Sequence, residues 1–201
     1  MNLLQKKLFL VREFTLEKGF LRIQFRNLTS SEEFNIPYEE IDFSKTVWQK
    51  ETDNVMLIVT LVFGVFFLIN IFNPDNYPDG SGLIGVSIFL FIVTCLSGLV
   101  TYIKSKNVLL IPTHNNGYLE FIKNKPNKDE FEAFIKKLSD EITLFLKSKY
   151  AKIDLEMPVE PQLMTLGWLR EKDIISEEEF ENLKHNLVNK KKGGASIGFS
   201  K

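Results

Sequence analysis

The chain has 201 residues, 44% hydrophobic and 25% charged, with 25 Lys and Arg against 26 Asp and Glu, a formal net charge of −1. That balance gives no basic excess for a nucleic-acid partner, and a single cysteine, Cys95, excludes an intramolecular disulfide. The length suits one or two small domains.

No amino-terminal signal segment is expected. Lys6 and Lys7 are followed by a short apolar stretch that gives way to Arg12 and Glu13. Lys7–Phe14 reads as a strand, joined through Glu17-Lys18-Gly19 to a second in which Leu21, Ile23 and Phe25 alternate with Arg22, Gln24 and Arg26. Glu33–Ile36 and Phe43–Lys50 read as further strands.

Two long apolar runs follow. Val55–Phe72 and Gly82–Ile103 hold 18 and 22 residues without a charge. As helices they span about 27 and 33 Å, bracketing a hydrocarbon core of about 30 Å. The loop between them, Asn73–Ser81, is made of turn formers and has no Lys or Arg, whereas Lys45, Lys50, Lys104 and Lys106 flank the outer ends. The positive-inside rule then predicts both flanks, and both termini, in the cytoplasm. Cys95 lies within the second run and reads as a small packing residue. Thr60 with Gly64, and Thr94 with Gly98, have a small-residue spacing that permits close helix packing, although such residues are ordinary in membrane helices. Neither run carries an ionisable residue that would mark a transport path.

After the hairpin, Asn107–Ile111 and Tyr118–Ile122 read as strands around the turn His114-Asn115-Asn116-Gly117. Asn127 is then the expected cap of a helix, with Glu130 completing a box. Phe131, Phe134, Ile135, Leu138, Ile142 and Phe145 form its apolar stripe. Two crossings return the chain to one side of a membrane, so the halves before and after the hairpin can pack as one domain of about six strands closed by this helix. The order of strands, with Ile36-Pro37-Tyr38-Glu39-Glu40-Ile41 and Lys125-Pro126-Asn127-Lys128-Asp129-Glu130-Phe131, resembles the bacterial pleckstrin-homology-like (PH-like) domains over residues 6–53 and 105–148. Many of those sit beside transmembrane hairpins or are split by them.

Ala151–Gln162, with Pro158 and Pro161, reads as a linker. Beyond it, Leu163, Leu166 and Leu169 fit a short helix, Lys172-Asp173 a turn, and Ser176 with Glu179 a capping box for a second helix. The run from Leu169 to Phe180, with Leu183-Lys184 after it, is similar to the short C-terminal (SHOCT) domain. Asp173 stands where that family commonly has Gly, and Asp tolerates left-handed backbone better than most residues. The resemblance implies a small interaction or oligomerisation module. Two helices of about ten residues are marginal alone, so Ile174, Ile175, Phe180, Leu183 and Leu187 are expected at a partner contact, with packing onto the chain's own domain as the other possibility. Lys190-Lys191-Lys192 opens a tail read as soluble or as a weak contact with anionic lipid.

The predicted fold class is therefore membrane α+β: a two-helix transmembrane hairpin inserted in a PH-like sheet or barrel domain closed by a C-terminal helix, plus a two-helix module. Its segments are 1–54, spans at 55–72 and 82–103 about a loop at 73–81, then 104–150, a linker at 151–162, the module at 163–189 and a tail at 190–201.

No catalytic, cofactor or metal site is expected. His114 and His185 fall in different modules, and there is no glycine-rich phosphate loop, paired-His helix or nucleophile elbow. Glu177-Glu178-Glu179 opens a helix, where the dipole favours negative charge. Richness in Phe, Lys, Asn and Ile suggests an AT-rich bacterial genome, and so a bacterial cell membrane. The expected function is a non-enzymatic, membrane-anchored binding or scaffold protein that meets membrane lipid and assembles with itself or a protein partner. The alternative is a membrane-bound regulator whose PH-like domain binds a lipid headgroup or peptide, with Arg22 and Arg26 as candidates.

Overall fold

The computed structural model describes residues 1–72, 81–114, 117–154 and 156–194. Residues 73–80 of the loop predicted at 73–81, the turn residues Asn115 and Asn116, and the end of the tail at 195–201 lie outside the described residues, while Ser81 opens a helix. The fold is α+β, with two antiparallel sheets and five α-helices among the described residues.

Alternation sets the first sheet. Strands β1 (Asn2–Lys7), β2 (Leu10–Leu16), β3 (Phe20–Arg26) and β4 (Ser31–Pro37) lie side by side in that order. Leu21 pairs with Leu16 and Ile23 with Phe14, which puts one apolar face inward. The single strand expected over Lys7–Phe14 is instead the middle of a hairpin. It turns at Leu8, whose φ of 51° is unusual for a residue with a Cβ, so no glycine or asparagine announced it. At the next turn Gly19 has a φ of 88°, and the Phe145 ring lies 3.0 Å from where a Cβ would stand. Only glycine meets both conditions.

The strand expected from Phe43 starts later. Asp42 accepts hydrogen bonds from the Ser44 backbone N–H at 3.1 Å and its hydroxyl at 2.6 Å, which winds Phe43–Lys45 into a short 3-10 turn. Strand β5 (Val47–Glu51) then leads into helix α1 (Asn54–Phe72), and helix α2 (Ser81–Lys104) into β6 (Lys106–Pro112) and β7 (Tyr118–Ile122). The second sheet has the order β5-β6-β7, and no closed barrel forms among the described residues. Both α1 and α2 are long and apolar enough to cross a membrane.

Helix α3 (Lys128–Tyr150) starts as its sequence indicates, with the Glu130 N–H donating to Asn127 Oδ1 at 2.9 Å. Helices α4 (Val159–Glu171) and α5 (Glu177–Gly194) complete the chain. The linker is shorter than expected because α4 begins at Val159 and takes Pro161 into its first turn, where the missing N–H has no helical partner to lose.

Two compact units divide the chain. Met1–Val47 and Leu109–Lys201 make the first, Trp48–Val108 the second. In the first, one core runs from β2 and β3 (Phe14, Ile23) through β6 and β7 (Ile111, Phe121) to α3 (Phe134, Leu138) and on to α4 and α5 (Leu169, Phe180). The rings of Phe14 and Phe121 lie 4.4 Å apart, and Phe134 stands 6.4 and 6.1 Å from them.

Candidate partner-docking site

The α4–α5 corner follows its sequence closely. Asp173 has a φ of 56°. The Ile174 N–H reaches Leu169 O at 2.9 Å and the Asp173 N–H reaches Arg170 O at 3.0 Å, the paired bonds of a Schellman ending. Ser176 and Glu179 bond reciprocally, at 3.0 and 3.1 Å. Glu179 also accepts from Lys147 of α3 at 2.9 Å; that contact first, and the cap second, hold its carboxyl below the ordinary value.

This geometry turns the predicted contact residues inward. Ile174, Ile175 and Phe180 are buried in the common core, Leu183 packs partly against it, and Leu187 is buried as well. Of the two positions left open for Ile174, Ile175, Phe180, Leu183 and Leu187, the single chain has them packed on its own domain. The burial that two short helices lack on their own comes from this chain's own core, α3 included. Phe180 is further covered by the Arg170 guanidinium, 4.5 Å from its ring centroid, and by Lys184 at 5.6 Å.

The second set of candidates meets in the hairpin. A Cβ on Gly64 would lie 3.8 Å from Thr94 Cγ2, and one on Gly98 would lie 3.7 Å from Thr60 Cγ2. Thr60, Gly64, Thr94 and Gly98 thus face one another in two reciprocal pairs. The threonine hydroxyls donate within their own helices, to Met56 O and Leu90 O, both at 2.8 Å, and Thr60 Oγ1 also lies 3.5 Å from Thr101 Oγ1 of α2. Arg22 and Arg26, candidates for an anionic headgroup, are instead in ion pairs: Arg22 with Glu17 at 3.4 Å and Glu33 at 3.6 Å, Arg26 with Glu13 at 3.5 Å.

What the first unit leaves open is a groove between the end of α3 and α4. Two hollows of about 280 and 460 Å³ share Tyr150 and Thr165 as lining residues. Ile153, Met157 and Pro161 line one, and Met164, Trp168 and His114 the other. Tyr150 and Trp168 meet edge to face at 5.6 Å. The segment before α4 is fixed by Gln162, whose carboxamide donates to Asp154 O at 2.7 Å and accepts from the Asp154 N–H at 2.8 Å. Lys149 donates to Glu39 at 2.6 Å across the rim. Burial pushes the Glu39 carboxyl up, but Lys149, a backbone hydrogen bond and Tyr150 together hold it below the ordinary value. Lys149 is raised in turn, chiefly by its hydrogen bond to Glu39.

The stripe expected on α4 is Leu163, Leu166 and Leu169, of which Leu166 and Leu169 are buried and Leu163 partly so. Met164 and Trp168 fall one turn apart on another side of the same helix, with Met164 largely exposed. A short helix with apolar residues on two sides was the available signal. No family model, curated protein or solved structure matches this chain.

Proposed function

We propose that this is a non-enzymatic, membrane-anchored binding protein. In this reading α1 and α2 cross a bacterial cell membrane, both termini lie in the cytoplasm, and a PH-like domain split by the hairpin carries the SHOCT-like helices as part of its own body. The groove between α3 and α4 takes an apolar segment of a protein partner. The observation that carries the reading is the Tyr150–Trp168 pair flanked by Met157 and Met164 in an open groove rimmed by Glu39 and Lys149. Tyr and Trp dominate binding energetics at interfaces, and methionine adapts its shape to varied partners. The PH-like assignment is supported by the succession of four strands, three strands and a covering helix, with no closed barrel among the described residues.

The test places a photo-activated crosslinking residue at Met164 in native membranes. Crosslinks to a discrete protein are expected, and they should fall at least tenfold when Trp168→Ala is added. A pattern equal to that from Lys136, exposed about four turns before Tyr150 on α3, would remove the groove from consideration.

A second reading, contact with lipid, is favoured by the turn tips of the first sheet. Leu8, Phe9 and Leu28 are 47, 66 and 75% exposed. The pairing Val11↔Arg26 brings both turns to the same end of the sheet, near Lys6 and Lys7. Crosslinks to lipid from Phe9, with none to protein from Met164, would favour it.

A further inference from the structure

Lys172 ends α4 with its side chain only 8% exposed and its Nζ without a hydrogen-bond partner. Asp42, its ion-pair partner, stands with Oδ2 3.9 Å away, beyond hydrogen-bond reach. Asp42 Oδ1 accepts from the Ser44 N–H and hydroxyl, and its Oδ2 stands about as far from Lys45, at 4.0 Å, as from Lys172. The Trp168 ring, 5.5 Å from the ammonium, offers a π face and no acceptor atom. A buried ammonium has three N–H donors to satisfy, and leaving them unmet is costly.

Beside it lies a cavity of about 210 Å³, lined by Lys172, Ser139, Thr143, Ser44 and Asp173 over an apolar floor that includes Ile142. Ser139 and Thr143 stand one turn apart on α3. Neither hydroxyl is engaged by another group among the described residues. The cavity therefore gathers an ammonium and two hydroxyls with donors to spare. Burial draws Lys172 below the ordinary lysine value; Asp42 opposes this and Lys45 adds to it.

We propose that this cavity binds a small oxyanion, a short carboxylate or a phosphate, seated on Lys172 Nζ with the Ser139 and Thr143 hydroxyls as further donors. Lys172 and Lys45 against Asp42 and Asp173 sum to no net charge, so the site suits a singly charged guest, a carboxylate or dihydrogen phosphate, over more highly charged anions. The guest would supply the acceptors that the buried ammonium lacks.

The experiment uses the full chain in lipid nanodiscs, titrated with acetate and, separately, with inorganic phosphate. Thermal unfolding is read against chloride at matched ionic strength. One of the two is expected to raise the melting temperature saturably, and which one does so assigns carboxylate or phosphate. Lys172→Met should abolish the response, and the Ser139→Ala/Thr143→Ala pair should weaken the apparent affinity about tenfold. Responses no larger than chloride's in the wild type, or a full response in Lys172→Met, overturn the proposal. Should Lys172→Met not fold, the hydroxyl pair decides: unchanged affinity there overturns it equally.

Discussion

Phe134→Ala tests whether the chain on either side of the hairpin is one folding unit. Phe134 is fully buried. Its ring stands 6.4 Å from Phe14 of β2 and 6.1 Å from Phe121 of β7, residues on opposite sides of the hairpin in sequence. Truncating such a side chain costs about 3–5 kcal/mol, the lost transfer energy plus the cavity left behind. A small domain has about 5–15 kcal/mol in all, and a loss of about 4 kcal/mol is close to a thousandfold in the unfolding equilibrium. Hydrogen exchange by mass spectrometry in nanodiscs reads this segment by segment. Protection should fall about a thousandfold in α3 and by a similar factor over Leu21–Phe25, more than a hundred residues earlier. Leu144→Ala, on the exposed side of the same helix, should stay within about 0.5 kcal/mol of the parent. Strand peptides that keep full protection while α3 loses it would show that the halves fold separately, and the shared-core reasoning would be refuted.

The membrane orientation is open to cysteine labelling in a Cys95→Ser background. Asp75→Cys and Asp79→Cys should react with an impermeant reagent from outside, Lys18→Cys and Lys128→Cys only after the membrane is breached, and the opposite pattern would reverse the topology. Phe180→Ala should lower thermal stability by about 3–5 kcal/mol while leaving the oligomeric mass in detergent unchanged. An unchanged melting temperature with a reduced mass would return Phe180 to a partner contact.

Local chemistry was the legible part of this chain. The box at Asn127 and Glu130, the cap at Ser176 and Glu179, and the left-handed turn at Asp173 each depend on residues within five positions of one another. Sequence spacing and spatial contact are then nearly the same thing. Leu8 was illegible for the converse reason: its turn is set by strands pairing on both sides of it, against the residue's own preference. The prolines at 158 and 161 misled because a helix start and a linker use proline alike. Lys172 reads as an ordinary turn lysine, and only folding buries it against Asp42, a residue well over a hundred positions earlier.

The C-terminal helices show what spacing can and cannot say. Leu166, Leu169, Ile174, Ile175 and Phe180 are more apolar surface than two short helices can hide, and that much follows from the sequence. Where the remainder is covered does not follow, because a second chain and a neighbouring element of the same chain leave the same pattern. Within this chain Lys147 and Glu179 mark α3 as the neighbouring element. Their ion pair, at 2.9 Å, ties the start of α5 to α3, with Leu146 and Phe180 both in the core they share. Any surface that these helices offer to a proposed partner lies on sides that this packing does not use. Met164 and Trp168 stand on such a side, and they are the reason the docking site is placed on α4 and not on the buried stripe.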